Sequence, residues 1–169
     1  MRENNLNIGF VGTGVMGRSM VKNLLKAGYS VAVYNRTKSS AEELFSLGAH
    51  WTDSVAGLAK LSDVVITMVG YPKDVEEVYL SEGGLIPNAK PGSVLIDMTT
   101  SSPLLARKIT LAGQAAGIDV LDAPVSGGDV GAQNGTLVIM VGGEEGVFDK
   151  VKPIFEAMGK NIILQGPAG

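Results

Sequence analysis

The sequence predicts a single α/β domain built on a doubly wound, mostly parallel sheet, and three observations predict it. Short apolar runs alternate with segments of helical spacing along all 169 residues, the pattern of a parallel sheet covered on both faces. The first apolar run ends in Gly12-Thr-Gly14-Val-Met-Gly17, a G-x-G-x-x-G turn between strand and helix. The length suits one good core, and 45% hydrophobic against 18% charged residues make the chain globular rather than disordered. Together these describe a Rossmann-type dinucleotide-binding unit.

The elements follow in order. Residues 6–11 are a short apolar run suited to a buried parallel strand. Met16, Met20, Val21, Leu24 and Leu25 recur at helical spacing, and Gly28 stops that helix. Residues 29–34 read as the second strand. A helix is expected over 39–47, a short helix over 54–61, a buried strand over 64–69 and a helix over 73–79 before a glycine-rich loop. Strand 93–97 precedes Ser102-Pro103, which opens a helix with Pro near its first position; the helix runs towards Ala116 and ends at Gly117. Residues 118–123 make a strand, 127–135 a loop or short helix, 136–142 a strand, 144–158 a helix and 161–164 a last strand. No repeat, low-complexity segment or interior linker divides residues 1–169, which read as one domain.

Within the turn each glycine has a task. Gly12 permits the tight bend, Gly14 removes the side chain that would hold phosphate off the backbone, and Gly17 lets the helix lie close to the strand. A pyrophosphate would then rest on the N–H groups of the turn and first helical residues, Thr13, Val15 and Met16 among them, where the helix dipole favours negative charge. The end of the second strand addresses the ribose. A NAD binder places an acid about 20 residues beyond the glycines to accept from the 2′-OH, whereas an Arg accommodates a 2′-phosphate. Here the residues are Asn35, Arg36, Thr37 and Lys38, with no acid in the sequence until Glu42. A guanidinium pairs with the phosphate and stacks on adenine, so NADP(H) is expected in preference to NADH. The plainer alternative makes Arg36 and Lys38 the solvated start of a helix.

Composition closes other routes. A net charge of −3 argues against a general nucleic-acid binder, which needs a basic face. With no cysteine there is no disulfide, thiolate catalysis or Cys-based metal site, and a reducing cytoplasm is compatible with that. His50 is the single histidine, so His triads and multi-His metal centres lack parts; beside Trp51 it reads as a packing or surface residue. No metal site is expected. The opening Met-Arg-Glu-Asn-Asn lacks the apolar core of a signal peptide, and no apolar run approaches the roughly 18 residues of a membrane helix, so a soluble, cytoplasmic protein without membrane partners is expected.

Ligands of doubly wound sheets gather outside the carboxyl ends of the strands. Besides the glycine turn and 35–37, those ends carry residues 68–72, 97–102 and 124–128. Gly70-Tyr71-Pro72 is readable as a turn, and the Thr99 to Ser102 hydroxyls as a helix cap, although one serine would suffice for that. Pro124-Val-Ser126-Gly127-Gly128 offers a hydroxyl and backbone N–H groups suited to a carboxylate, or forms a flexible loop with a cap.

The glycine turn, Asp97-Met-Thr-Thr100, and Asp122-Ala-Pro-Val-Ser126-Gly-Gly128 followed by Gly131-Ala132 and Gly135-Thr136-Leu137 resemble the β-hydroxyacid dehydrogenase family from Asn7 to Gly169. That family includes 3-hydroxyisobutyrate dehydrogenase, tartronate semialdehyde reductase, the glyoxylate and succinic semialdehyde reductases and 6-phosphogluconate dehydrogenase. Asp97-Met-Thr-Thr100 is more similar to the small-hydroxyacid branch than to the phosphogluconate branch. The resemblance implies hydride transfer between a nicotinamide and a short β-hydroxyacid, or reduction of the matching aldehyde. It implies that Val69 and Gly70 line the cofactor, that Thr100 lies by the nicotinamide and substrate, and that Ser126, Gly127 and Gly128 hold the substrate carboxylate.

The same resemblance implies a general acid/base Lys on a helix beyond the turn at which Gly169 stands, so no catalytic residue is assigned within this chain. The family's second, helical domain, which closes the cleft and commonly builds a homo-oligomer, is absent as well. The expectation is therefore the cofactor-binding half of a longer oligomeric enzyme, inactive by itself. Two alternatives stand beside it: an imine reductase relative, or a non-catalytic NADP-binding or interaction module. The residue at the family's Lys position separates the three.

Overall fold

A computed structural model describes residues 5–169; Met1 to Asn4, part of the opening stretch read above for a leader, lie outside the described residues. The sheet begins with β1 (Asn7–Val11), whose neighbours are β2 (Ser30–Tyr34) on one side and β4 (Val64–Thr67) on the other, both parallel. Beyond β2 lies the short β3 (His50–Trp51), and beyond β4 come β5 (Val94–Asp97) and β6 (Asp119–Asp122), all parallel to their neighbours. β8 (Leu137–Gly142) then runs antiparallel to β6 and to β7 (Val125–Ser126), and β9 (Gly159–Gly166) pairs parallel to β8. This is the mostly parallel, doubly wound sheet that the sequence predicts.

Alternation along the strands makes two cores. Ile8 and Phe10, Val64 and Ile66, and Val94 and Ile96 face one side, with Met20 and Leu24 of α1 (Val15–Lys26) and Ile154 and Phe155 of α8 (Glu145–Met158). Val11, Val65 and Leu95 face the other, with Leu58 of α3 (Val55–Leu61), Tyr79 of α4 (Pro72–Leu80) and Ile109 of α6 (Pro103–Ala115). Helices on both faces explain why these strands read as continuous apolar runs. Local chemistry starts two of those helices: Ser54 Oγ accepts from Gly57 N at 2.9 Å, and Ser102 Oγ from Leu105 N at 3.3 Å ahead of Pro103.

Register brings the strand exits into one row. Val11 stands opposite Tyr34 and Thr67, Thr67 opposite Asp97, and Asp97 opposite Asp122. Four details depart from the sequence reading. The helix expected over 39–47 is a 3-10 turn, Lys38–Ala41, followed by the short α2 (Glu42–Phe45); with Ala41 and Leu44 as its buried anchors, it has too narrow an apolar stripe for a longer helix. His50 is exposed, in keeping with its reading as a packing or surface residue, but with Trp51 it forms an edge strand that the sequence reading lacks. The glycine-rich loop contains α5 (Leu85–Asn88), fixed by Leu85, which is fully buried. Within 124–128, Val125 and Ser126 pair with Ile139 and Val138 before α7 (Gly128–Asn134) begins. None of the described helices is long and apolar enough to cross a membrane.

Candidate functional site

A cleft of about 440 Å³ opens along the row of strand exits, between the β1–α1 turn, the end of β2 and the residues after β4. A larger groove of about 740 Å³ lies by α6 and the end of β9, but the glycine turn does not reach it. The cleft is the better site because the glycine turn and the N-terminus of α1 open into it.

The three glycines of the turn differ in what demands them. A Cβ on Gly12 would lie 2.1 Å from the Met68 carbonyl oxygen, and Gly12 has φ +104. A Cβ on Gly17 would lie 1.9 Å from the Gly12 carbonyl oxygen, so the close approach of α1 to β1 needs a bare Cα. A Cβ on Gly14 would meet nothing within 4 Å, and its φ of −70 is open to any residue. The fold itself has no use for glycine there. Gly14 N-caps α1 without a side chain, and the first turn of that helix carries no acid, which leaves its positive end free for an anion.

Of the residues expected to touch a cofactor, Gly12, Gly14, Val15, Met16, Gly17, Asn35, Arg36, Val69 and Gly70 line this cleft. Thr13 and Thr37 do not. Thr13 is wholly buried and its Oγ1 has no hydrogen-bond partner, because the turn directs it inward; its backbone N–H instead donates to Asn35 Oδ1 at 2.9 Å. Asn35 Nδ2 in turn donates to the Thr37 carbonyl at 2.9 Å, so Asn35 ties the glycine turn to the segment after β2. Lys38 lies 5.4 Å over the Trp51 ring, which stacks on Tyr34.

At the ribose end the structure adds a residue that sequence reasoning missed. Arg36 Nη2 is 3.3 Å from Asp74 Oδ1, across 38 residues of chain. Asp74 also lines the cleft, and its Oδ2 accepts from Tyr71 N at 3.1 Å as part of the cap of α4. Its position in the first turn of a helix gave only a capping signal.

The exits of β4 and β5 are organised by a buried network, also missed. Asp97 Oδ1 accepts from Thr67 Oγ1 at 2.9 Å and from Thr99 N at 3.1 Å. Thr67 Oγ1 is 2.9 Å from the Tyr79 hydroxyl, and Thr99 Oγ1 accepts from Val69 N at 3.0 Å. The network thus pins Val69, a cleft residue, to the segment that leads to Thr100. Burial pushes the Asp97 carboxyl above its usual range, hydrogen bonds from Thr99 and Thr67 oppose the rise, and Asp122 adds to it. Burial also pushes the Asp122 carboxyl up, against a bond from Gly169 N to Asp122 Oδ1 at 3.0 Å. The Tyr79 phenol, fully buried, is raised well above its ordinary value by burial and then by Asp97.

Thr100 is exposed just after β5, beside Ser101, whose Oγ is buried without a partner. Ser126, Gly127 and Gly128 are exposed at β7 and the start of α7; Gly127 and Gly128 have φ +132 and +61. None of these four lines the cleft of the glycine turn. They lie after β5 and β6, further along the same row of exits. Among the described residues no cluster of His, Cys, Asp and Glu could hold a metal.

Comparison with known proteins identifies the family of the domain. The family model for the NAD binding domain of 6-phosphogluconate dehydrogenase matches residues 7–166. An uncharacterized oxidoreductase of Bacillus subtilis, YkwC, is 59% identical over 162 residues, covering 96% of this chain and 56% of the relative. The NAD-dependent L-serine dehydrogenase of Pseudomonas aeruginosa is 43% identical over 162 residues, 96% of this chain and 54% of its own length. Among solved structures, Mycobacterium tuberculosis 3-hydroxyisobutyrate dehydrogenase with L-serine superposes with a TM-score of 0.91 at 34% identity, over 96% of this chain and 55% of that one. The chain spans about half the length of the curated relatives it matches.

Proposed function

The chain belongs to the family of the 6-phosphogluconate dehydrogenase NAD-binding domain, and on that premise we propose that it binds NADP(H), in preference to NADH, as the cofactor half of an oxidoreductase for a small β-hydroxyacid or semialdehyde. Gly14 carries the reading. The only surroundings that a side chain there would disturb are those of the cleft, so a ligand is what calls for glycine. A dinucleotide also suits the donor set, with open N–H groups at the start of α1 and a guanidinium at the end of β2. Once bound, the nicotinamide supplies hydride transfer. The chain's own part is to fix the two phosphates on the turn, hold the ribose end by Arg36, and keep Val69 in place through Thr99.

The substrate carboxylate is assigned to Ser126, Gly127 and Gly128 with Thr100 near the reacting carbon. The presence of L-serine in the solved Mycobacterium tuberculosis relative, and in the name of the Pseudomonas aeruginosa one, supports a short carboxylate-bearing hydroxyacid. Lys150 and Lys152 on α8 and Lys160 on β9 are exposed, and none of them lines the cleft of the glycine turn. No general acid/base is assigned within these residues, and the protein to which they belong is proposed to be a cytoplasmic homo-oligomer.

Calorimetric titration with NADPH and NADH tests this. The native chain should bind NADPH more tightly, and Gly14→Ala should stay folded, with only the modest loss of an Ala at an N-cap, while losing tenfold or more in affinity for both, about the effect of blocking close approach to the phosphates. Unchanged binding in Gly14→Ala would remove the pyrophosphate assignment. Equal affinity of the native chain for the two nucleotides would remove the NADP(H) preference, and an Arg36→Ala variant with the native ratio of affinities would remove the Arg36 assignment.

A further inference from the structure

At the ribose end a capped, mostly enclosed acid faces an exposed base. The Asp74 carboxylate is held by the Tyr71 N–H at 3.1 Å in the cap of α4, and its side chain is 24% exposed. Arg36 is 76% exposed and has Asp74 as its ion-pair partner at 3.3 Å. Both line the cleft, so the carboxylate stands where the adenosine ribose would be read. The nearest acid along the sequence from Arg36 is Glu42, and Asp74 is brought in by the fold alone.

We propose that Asp74 is a specificity-determining residue that narrows the NADPH preference created by Arg36. This rests on the Arg36 reading above. A 2′-phosphate monoester carries about −1.5 to −2 charges at neutral pH. To meet Arg36 it must draw the guanidinium away from Asp74 and then accept a carboxylate as neighbour, and both oppose NADPH. The 2′-OH of NADH carries no charge and can donate to a carboxylate, so the same residue leaves NADH binding untouched or helps it. The pair therefore works as a balance: Arg36 selects for the phosphate and Asp74 against it.

The measurement is the ratio of NADH to NADPH dissociation constants in the native chain, Asp74→Asn, Arg36→Ala and the double variant, by calorimetry at low salt. Asn can still accept from Tyr71 N, so the α4 cap should persist; Asp74→Ser serves if Asn lowers the melting temperature. The ratio should rise about three- to fivefold in Asp74→Asn, as expected for an exposed charge pair, and the rise should shrink at high salt. An unchanged or smaller ratio in both Asp74 variants overturns the proposal whatever Arg36→Ala does. Failure of Arg36→Ala to lower the ratio is a separate result, and it strikes the Arg36 reading alone.

Discussion

The two ends of the cleft are built by opposite rules. At the ribose end the deciding groups are charged and reach solvent: Arg36 is 76% exposed and paired with Asp74 across the cleft. At the exits of β4 and β5 they are buried and hydrogen-bonded, with Thr67, Asp97 and Thr99 6% exposed or less and Tyr79 fully buried. An exposed ion pair contributes little to stability, so the residues that discriminate between ligands can change without endangering the fold. A buried carboxylate in a network is bound into the core, and a change there affects stability and loop placement together. Selection of the cofactor and positioning of the loops beside it are thus separable in this molecule.

The sharpest way to break that contrast is Asp97→Ala. It leaves the buried Thr99 N–H without its acceptor, takes from Thr67 one of its two hydroxyl contacts and opens a small void. A loss of about 2–3 kcal/mol is expected, since an unsatisfied buried donor costs far more than a hydrogen bond contributes. Urea denaturation measures it. A loss below about 0.5 kcal/mol, the size of a surface change, would put Asp97 in the same class as Arg36.

These two ends also differ in how legible they are in the sequence. The β1–α1 turn is readable because its requirements are local: three glycines at fixed spacing between an apolar run and a helical one. Arg36 is readable for the same reason, at the end of the next strand. Asp74 is not, because its signal in the sequence is that of an acid in the first turn of a helix, and only the fold brings the start of α4 to the guanidinium. Asp97 stands in a recognisable Asp-Met-Thr-Thr segment, yet its partner Thr67 comes from β4, and Thr67's other partner, Tyr79, from α4. The small strands β3 and β7 escape because two residues show no period, and their pairing is set by the strands beside them. The direction of β8 is likewise a property of the sheet, since an apolar run reads the same either way.

A smaller effect, with a sign of its own, distinguishes the buried acid. In the folded chain burial raises the Asp97 carboxyl above the value of about 3.9 expected when unfolded. Between those two values the folded state binds more proton than the unfolded state, so stability falls as pH rises through the window and stays lower above it. Asp97→Asn keeps an acceptor for Thr67 and Thr99 and does not titrate. Its stability relative to the native chain should therefore increase from about pH 4 upward and level off above the raised value. Asp63, lowered by Lys90 and by the Asn7 N–H, remains in both proteins and cancels in the difference, whereas the repulsion between the Asp122 and Asp97 carboxylates exists in the native chain alone and adds to the rise. Paired urea midpoints across pH 3.5 to 7.5 would show this; a difference that is flat, or that falls with pH, would contradict a raised Asp97.

The smallest expected effect completes the contrast at the other end. Arg36→Ala removes one exposed ion pair and no buried contact, so its stability should stay within about 0.5 kcal/mol of the native chain. Asp74 keeps its bond from Tyr71 N in that variant, and the α4 cap survives. The same substitution should nonetheless shift the NADH to NADPH ratio, so one protein would show a near-silent melt and a changed titration. A drop of 2 kcal/mol or more would mean that Arg36 is part of the scaffold, and the division of labour between the two ends would not hold.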